Sequence, residues 1–273
     1  MTVRVKTVIK YAGGKQLVKF PDGKYVVDVI KNMYDNHRDK VFVDLFCGGL
    51  SISLNVKPER CIANDLNYHV IGLYHTIQQQ GNDIQKIALE NTSENFYQVR
   101  KEFNEILKQN PFDERLPHMF YYLNRTCFNG LVRFNKKGEF NSPYGKYKYP
   151  NYCHDWNWFQ EATKNWCFMS RDWENMLSMV VPEKSFLICD PPYVGTFDAY
   201  NPDGFSLADH QRLFDALSAH HGPMVVFNSA LPEIVKMYED AGFDIQYIYR
   251  EDKINKARGT GAKVPEMFAT RGI

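Results

Sequence analysis

Apolar positions along this chain fall into short runs separated by stretches with helical spacing. Val41-Phe42-Val43-Asp44-Leu45-Phe46 is an apolar run that stops at Cys47-Gly48-Gly49. That pattern predicts a buried strand followed by a tight turn. Ser51 to Asn55 begin a helix, and Cys61-Ile62-Ala63 form a second short strand ending at Asn64-Asp65. From Val70 to about Lys108 the spacing is mostly helical, with breaks near Gly81 and Asn91. Strand signals return at Ser185–Cys189, Met224–Phe227 and Phe243–Tyr249. They alternate with helical spacing over Leu207–His220 and over Leu231–Ala241, the latter stopped by Gly242. Such alternation predicts an α/β fold with a mostly parallel sheet.

Residues 121–150 break the alternation. They carry six cations (Arg125, Arg133, Lys136, Lys137, Lys146, Lys148) against one acid, Glu139, and eight aromatics. Lys137-Gly138-Glu139 has turn chemistry and closes a predicted hairpin between Val132-Arg133-Phe134 and Glu139-Phe140-Asn141. The segment therefore reads as an insertion. A solvated basic loop is the plain alternative, but such loops rarely hold so many rings, and the combination favours nucleic acid.

Composition adds limits. At 273 residues and 44% hydrophobic, the chain suits one large α/β domain carrying a smaller insert. The net charge of +1 does not by itself announce a partner, so the placement of charge matters more than its sum. The six cysteines form no CxxC pair and have no histidine at zinc-ligand spacing, so reduced thiols and no metal are expected. No apolar run reaches membrane-spanning length and Met1–Lys10 lacks a signal-like core, so a cytoplasmic protein without a membrane partner is expected.

The turn Asp44-Leu45-Phe46-Cys47-Gly48-Gly49-Leu50-Ser51 sits at a strand end before a helix, where small residues let a ligand approach the backbone. Asp65 ends the next strand, and an acid there can accept hydrogen bonds from a ribose diol. The glycines do not fit GxGxxG, and nothing is built to cradle a pyrophosphate. A plain strand-to-helix turn is the competing reading; as a ligand site it suits S-adenosylmethionine, which has no phosphates. Tyr11-Ala12-Gly13-Gly14-Lys15 is a second glycine turn that could fold over the same pocket.

Asp190-Pro191-Pro192-Tyr193 is the sharpest signal. It follows a strand, so it lies at the carboxyl edge where open α/β sheets bind ligands. An aromatic amine is a poor nucleophile because its lone pair is delocalised. Asp190 and the Pro191 carbonyl can each accept one amine hydrogen and localise that pair. Pro191 and Pro192 stiffen the loop, and Tyr193 can stack on an extruded base. Catalysis of this kind is mostly orientation and electrostatics.

With these motifs in hand, the chain resembles the Dam-type, α-group DNA adenine N6-methyltransferases of bacteria and phages. The likeness runs over most of its length. The resemblance implies a Rossmann-like S-adenosylmethionine-dependent methyltransferase sheet, residues 1–70 and 160–273, with an inserted, mainly helical target-recognition domain bearing a β-hairpin, residues 71–159. It further implies that Tyr11, Lys15, Asp44, Phe46, Gly48, Asp65, Asp172 and Asp190 hold the cofactor. The stretch from Tyr122 to Asn135, followed by Gly138 to Tyr147, closely resembles the recognition hairpin of GATC-specific members. By that likeness Arg133 reads a guanine, Phe128 and Asn129 enter the duplex near the flipped base, and Pro143 meets a thymine methyl. Arg125, Lys146, Lys136, Lys137 and Lys148 would position phosphates, with Asn135 and Tyr147 in the same surface. Phe128 stands where the family often has tyrosine. Asn228-Ser229 is either part of the acceptor pocket or an ordinary strand end. Double-stranded DNA is the expected partner and a monomer the expected state.

Two rival readings compete with this one. An RNA or protein-amide methyltransferase also uses a strand-end Pro-Pro-Tyr, more often after Asn, but the order of motifs and the hairpin oppose it. A non-catalytic DNA-binding protein on a methylase scaffold is opposed by intact Lys15, Asp65, Asp190 and Tyr193.

Overall fold

The computed structural model describes residues 4–85, 90–153, 155–193, 205–251 and 263–273. Seven strands form one sheet: β1 (Val41–Asp44), β2 (Cys61–Asn64), β3 (Trp166–Met169), β4 (Ser185–Cys189), β5 (Met224–Ser229), β6 (Asp244–Glu251) and β7 (Lys263–Arg271). Their order is β3-β2-β1-β4-β5-β7-β6. The first five are parallel, while β7 runs antiparallel to both β5 and β6. From β1 the chain steps outward through β2 and β3, then returns to lay β4 and β5 on the other side. The strand order thus reverses between β1 and β4, and the crevice above that reversal is where open α/β sheets bind ligands.

The predicted strands form because both of their faces are covered. In β4, Phe186 and Ile188 enter one core while Leu187 and Cys189 enter the other; in β5, Val225 and Phe227 are set against Met224 and Val226. All five residues of β4 are buried, which is why its sequence is continuously apolar. The helices are α1 (Val26–Asp35), α2 (Ser53–Val56), α3 (Tyr68–Gln80), α4 (Ser93–Gln109), α5 (Arg115–Thr126), α6 (Asn157–Thr163), α7 (Trp173–Ser178), α8 (Leu207–Ala219) and α9 (Pro232–Asp240). One face of the sheet packs against α1, α2 and α3, the other against α7, α8 and α9. Helices α3 to α6 all lie in the crossover between the adjacent strands β2 and β3.

The helical stretch from Val70 to Lys108 resolves into α3, a 3₁₀ turn at Gly81–Gln85 and α4, so the predicted breaks near Gly81 and Asn91 hold; residues 86–89 of it lie outside the described residues. Asn67 and Thr92 cap the starts of α3 and α4 through their side chains. The hairpin is smaller than expected. A single bridge joins Phe134 to Phe140, flanked by Asn135 N–H to the Glu139 carbonyl (2.9 Å) and Asn141 N–H to the Arg133 carbonyl (3.0 Å). Gly138, at φ +73°, makes the turn.

Strands β3 and β7 and helices α1, α5, α6 and α7 were not placed by the sequence pattern. Strand β3 is a four-residue edge with one covered face, too short for a period to register. Strand β7 contains Pro265 and Glu266, which interrupt its apolar run; Pro265 lies near its start, where a proline is tolerated. Helix α1 buries Val26, Val27, Ile30 and Tyr34, a helical spacing present in the sequence but not singled out.

Candidate active site

The turn after β1 is set by its glycines and by acids from the neighbouring strand. Gly48 lies at φ +44°, and a Cβ there would stand 2.9 Å from the Tyr11 ring. Tyr11 therefore covers the turn from above, as its place in the N-terminal motif implied. Asp65, just past β2, accepts the Gly48 N–H (2.9 Å) on one oxygen and the Asn67 N–H (2.8 Å) on the other. The Tyr74 hydroxyl donates to the Gly48 carbonyl at 2.6 Å. Because Asp65 already occupies the Gly48 donor, this turn is no phosphate nest.

Below the turn, Asp44 is 2% exposed and accepts from the Ser53 hydroxyl. Burial pushes its carboxyl up to about 7, with the charges of Asp190 and Asp65 adding to the rise. Asp172 caps α7, accepting from the Glu174 N–H at 2.9 Å. It sits near the edge because Asn64 ties the preceding residue in place: Asn64 Nδ2 donates to the Arg171 carbonyl (3.0 Å) and Oδ1 accepts the Arg171 N–H (3.0 Å). Phe46 packs edge-on against Phe205, 6.1 Å between ring centres.

Across the crevice, Asp190 ends β4. Lys15, 2% exposed, places Nζ 2.8 and 2.6 Å from the two Asp190 oxygens and 3.0 Å from the Gly13 carbonyl. Its backbone N–H is fixed by the Ser51 hydroxyl at 2.9 Å. The N-terminal glycine turn and the Asp-Pro-Pro-Tyr loop are thus one unit, a union the sequence implied only through resemblance. Tyr193 directs its hydroxyl at Asp190 (3.3 Å) and at Glu266 of β7 (3.1 Å), and its ring lies 5.2 Å from Lys15 Nζ. Burial and two flanking carboxylates hold the phenol well above its usual range, so it stays protonated and acts as a donor. Burial also raises Asp190, and the Lys15 ammonium opposes it. Under the loop, His210 is kept neutral by burial; its Nδ1 pairs with Asn228 Nδ2 (3.2 Å), and the Pro192 carbonyl faces its ring. Asn228 also accepts the Ser229 N–H at 2.8 Å, so its amide works as a strand-end scaffold.

The crevice between β1 and β4 therefore brings together Tyr11, Lys15, Asp44, Gly48, Asp65, Asp190 and Tyr193. The matched family is described as D12 class N6 adenine-specific DNA methyltransferase, and the match runs over residues 11–255, which takes in both sides of this crevice and the basic segment. The chain belongs to that family. A DNA adenine methylase of Serratia marcescens is 31% identical, covering 93% of this chain and 97% of its own length. The DNA adenine methylase of Escherichia coli is also 31% identical, covering 93% and 94%. The DNA N-6-adenine-methyltransferase of Escherichia phage P1 is 28% identical over 92% of this chain but only 33% of its own length. The protein is a site-specific DNA adenine N6-methyltransferase, and the two rival readings fall away.

The basic aromatic segment of this methyltransferase is exposed in part. Phe128 is half exposed and Asn129 exposed, the latter at φ +52° at the tip of a single 3₁₀ turn. The Phe128 N–H donates to the Pro143 carbonyl (2.8 Å), which ties this turn to the exposed Pro143. Arg133 gives Nε to Asn141 Oδ1 (2.7 Å) and Nη2 to the Asn141 carbonyl (3.2 Å). This fixes the plane of the guanidinium. Lys136, Lys137, Lys146 and Lys148 are exposed.

Two residues assigned to DNA sit differently from the rest. Arg125 is buried, with its guanidinium on the Asn151 carbonyl, and it is not on the exposed basic face. Asn135 spends its side chain closing the turn, accepting from Lys137 (2.9 Å) and Glu139 (3.0 Å) and donating to the Glu139 carboxylate (2.9 Å). Tyr147 is half-buried under Lys10, whose Nζ lies 3.6 Å from its ring centre. Sequence reasoning missed Glu266, Arg250 and Asn124. Asn124 is fully buried and bonds Lys10 on both sides, Oδ1 to its N–H (3.0 Å) and Nδ2 to its carbonyl (2.9 Å). Arg125 and Thr126 beside it are polar too, so nothing in the sequence singled it out.

Proposed function

We propose that this methyltransferase modifies adenine N6 within GATC in double-stranded DNA, taking the methyl group from S-adenosylmethionine, with Asp190, Pro191, Pro192 and Tyr193 as its catalytic loop. The carrying observation is the buried Lys15–Asp190 pair beside Tyr193, facing an acid-lined glycine turn across the sheet reversal. The turn fits the donor. The charges beside it are carboxylates, which favour a sulfonium and oppose a phosphate, and Asp172 keeps lone pairs beyond the one used on the Glu174 N–H. When bound, S-adenosylmethionine supplies an electrophilic methyl carbon. Asp190 accepts one hydrogen of the target amine and the Pro191 carbonyl the other, which pyramidalises the nitrogen and aims its lone pair. Tyr193 stacks on the base. Asp190 would take up the proton that the amine nitrogen gives up along this hydrogen bond as the methyl group is transferred from sulfur.

Recognition is carried by Arg133 on a guanine, Phe128 and Asn129 at the gap left by the extruded adenine, and Pro143 against a thymine methyl, with residues 71–159 as the recognition unit and the rest as the catalytic unit. The exposed lysines position phosphates. Among the described residues no helix is long and apolar enough to cross a membrane. The working form is a cytoplasmic monomer.

Plasmid incubated with protein and S-adenosylmethionine, then cut with nucleases that require methylated or unmethylated GATC, tests the assignment. Protection from the second and cleavage by the first are expected, and a GATC-free duplex should take up no methyl. The Asp190→Ala variant should lose transfer by at least about a hundredfold while binding duplex normally. Near-normal turnover by that variant would remove Asp190 from the chemistry.

A further inference from the structure

Glu266 is 1% exposed and sits in a strand whose neighbouring residues Met267, Phe268 and Ala269 are all core. A buried carboxylate is costly unless it is paired. Its register explains its place: β7 sets Glu266 opposite Ser229 of β5 and Ile248 of β6, at the same sheet edge as the loop after β4. There Oε1 meets Arg250 Nε at 3.1 Å, Oε2 meets the Tyr193 hydroxyl at 3.1 Å, and Lys15 Nζ stands 3.9 Å away. Two carboxylates and two cations thus make a neutral cluster, with Tyr193 between the acids.

The occupancy within this cluster is uneven. The Lys15 ammonium has three hydrogens, and its three near contacts are the two Asp190 oxygens and the Gly13 carbonyl. Glu266, at 3.9 Å, is in ion-pair range but beyond a hydrogen bond. Tyr193 has one proton and two carboxylates competing for it. With both oxygens of Asp190 on the Lys15 ammonium and Oδ1 also taking the Tyr193 hydroxyl, little acceptor capacity is left on that oxygen for an amine.

We infer that Glu266 is a positioning residue: it receives the Lys15 ammonium and the Tyr193 hydroxyl when the target amine takes an oxygen of Asp190. Arg250 holds the Glu266 carboxylate at the right distance, close enough to attract Lys15 and too far to capture it before substrate arrives. The shift keeps every charge in the cluster paired while it frees one Asp190 oxygen. This inference rests on Asp190 being the amine acceptor.

The groups facing Asp190 are Lys15, Glu266, Tyr193, Asp44 and Cys189. Lys15 lowers its proton affinity and Glu266 raises it. Single-turnover methyl transfer measured across pH for Glu266→Gln should therefore show two changes together. The plateau should fall by about tenfold or more with DNA and methyl-donor affinities within about twofold, and the acid limb should move to lower pH because Lys15 stays on Asp190. Lys15→Gln should move the limb the opposite way, and adding Glu266→Gln to it should lower the plateau little further. An unchanged plateau, or a lowered one with the limb unmoved, overturns the inference.

A second measurement needs no variant. In a crystal structure of the wild-type enzyme with GATC duplex and an unreactive sulfonium analogue, Lys15 Nζ should lie about 3 Å from Glu266 and have left one Asp190 oxygen. An amine on Asp190 with Lys15 still 3.9 Å from Glu266 overturns the inference alone. An amine bound away from Asp190 overturns the catalytic reading and this inference with it.

Discussion

A carboxylate's behaviour in this site depends on what shares its burial. Asp44 is raised to about 7 because it is desolvated and lies near two other acids, which outweighs the opposing pull of the Ser53 hydroxyl and the Lys15 charge. Its folded value lies above the unfolded 3.8. The stability linked to it is therefore present at low pH and lost as pH rises through about 7. A sulfonium nearby favours the charged form, so binding the methyl donor should expel a proton near neutrality. Donor affinity should accordingly rise with pH through that region and then level off. Calorimetry in buffers of differing protonation enthalpy reads the proton directly, and Asp44→Asn should abolish the dependence. Arg133 offers a second prediction at this scale. Asn141 fixes its plane, so Arg133→Ala should cost about 1–3 kcal/mol of discrimination at one guanine position. Affinities across single-base variants of GATC check this, and a uniform loss over all of them would make it a phosphate contact. Residue identities of this kind were readable wherever the chemistry is local to a motif, as in Asp190 and Tyr193. Glu266 was not readable, because its partners Lys15 and Tyr193 lie far away in the chain and its neighbours are ordinary core residues.

At the scale of elements, the segment holding Tyr11 and Lys15 is tied to the end of α5 rather than standing alone. Asn124 clamps the Lys10 peptide from both sides, and Gly130 accepts the close approach of the same residue: a Cβ there would fall 2.1 Å from Lys10 Cβ. The lysine that meets Asp190 and the loop that carries Phe128 are thus joined through one buried amide. Asn124→Ala would leave a buried peptide N–H and carbonyl unpaired, at about 1–3 kcal/mol. A urea titration should show that loss, and methyl transfer should fall more than the loss of folded protein explains. The hairpin was legible as a turn but not in extent. Its turn residues are chemical signals, whereas the ladder is cut short by packing of Phe134 against His69, with rings parallel to within 5° and 4.7 Å apart. Burial drives the His69 imidazole down to about 3, so it serves as a neutral aromatic seat for Phe134.

For the molecule as a whole, charge is distributed rather than abundant. The net value is +1, yet residues 121–150 hold six cations against one acid while the crevice between β1 and β4 is lined with carboxylates. One site can then prefer a polyanion and the other a cation without competing. DNA affinity should fall steeply as salt increases, with a log–log slope near −0.9 for each phosphate contacted. Filter binding over a salt series measures it, and charge-removing changes at the exposed Lys136 or Lys146 should each lower the slope by about one. A flat salt response would place DNA on a different surface.

By itself the sequence determined the alternation of strands and helices, the two glycine turns, the Asp-Pro-Pro-Tyr loop and the basic aromatic segment, because each is written in contiguous residues with local conformational demands. Tertiary structure alone decided which of these meet. The strand reversal between β1 and β4 sets Asp44 and Asp190 on two sides of one crevice, and β7, entering antiparallel, brings Glu266 to the Lys15–Asp190 pair. It also decided that Arg125 is buried and Asn135 spent in its turn. The physical reason is that hydrogen-bond partnership and desolvation depend on distance in space, while a sequence records only distance along the chain.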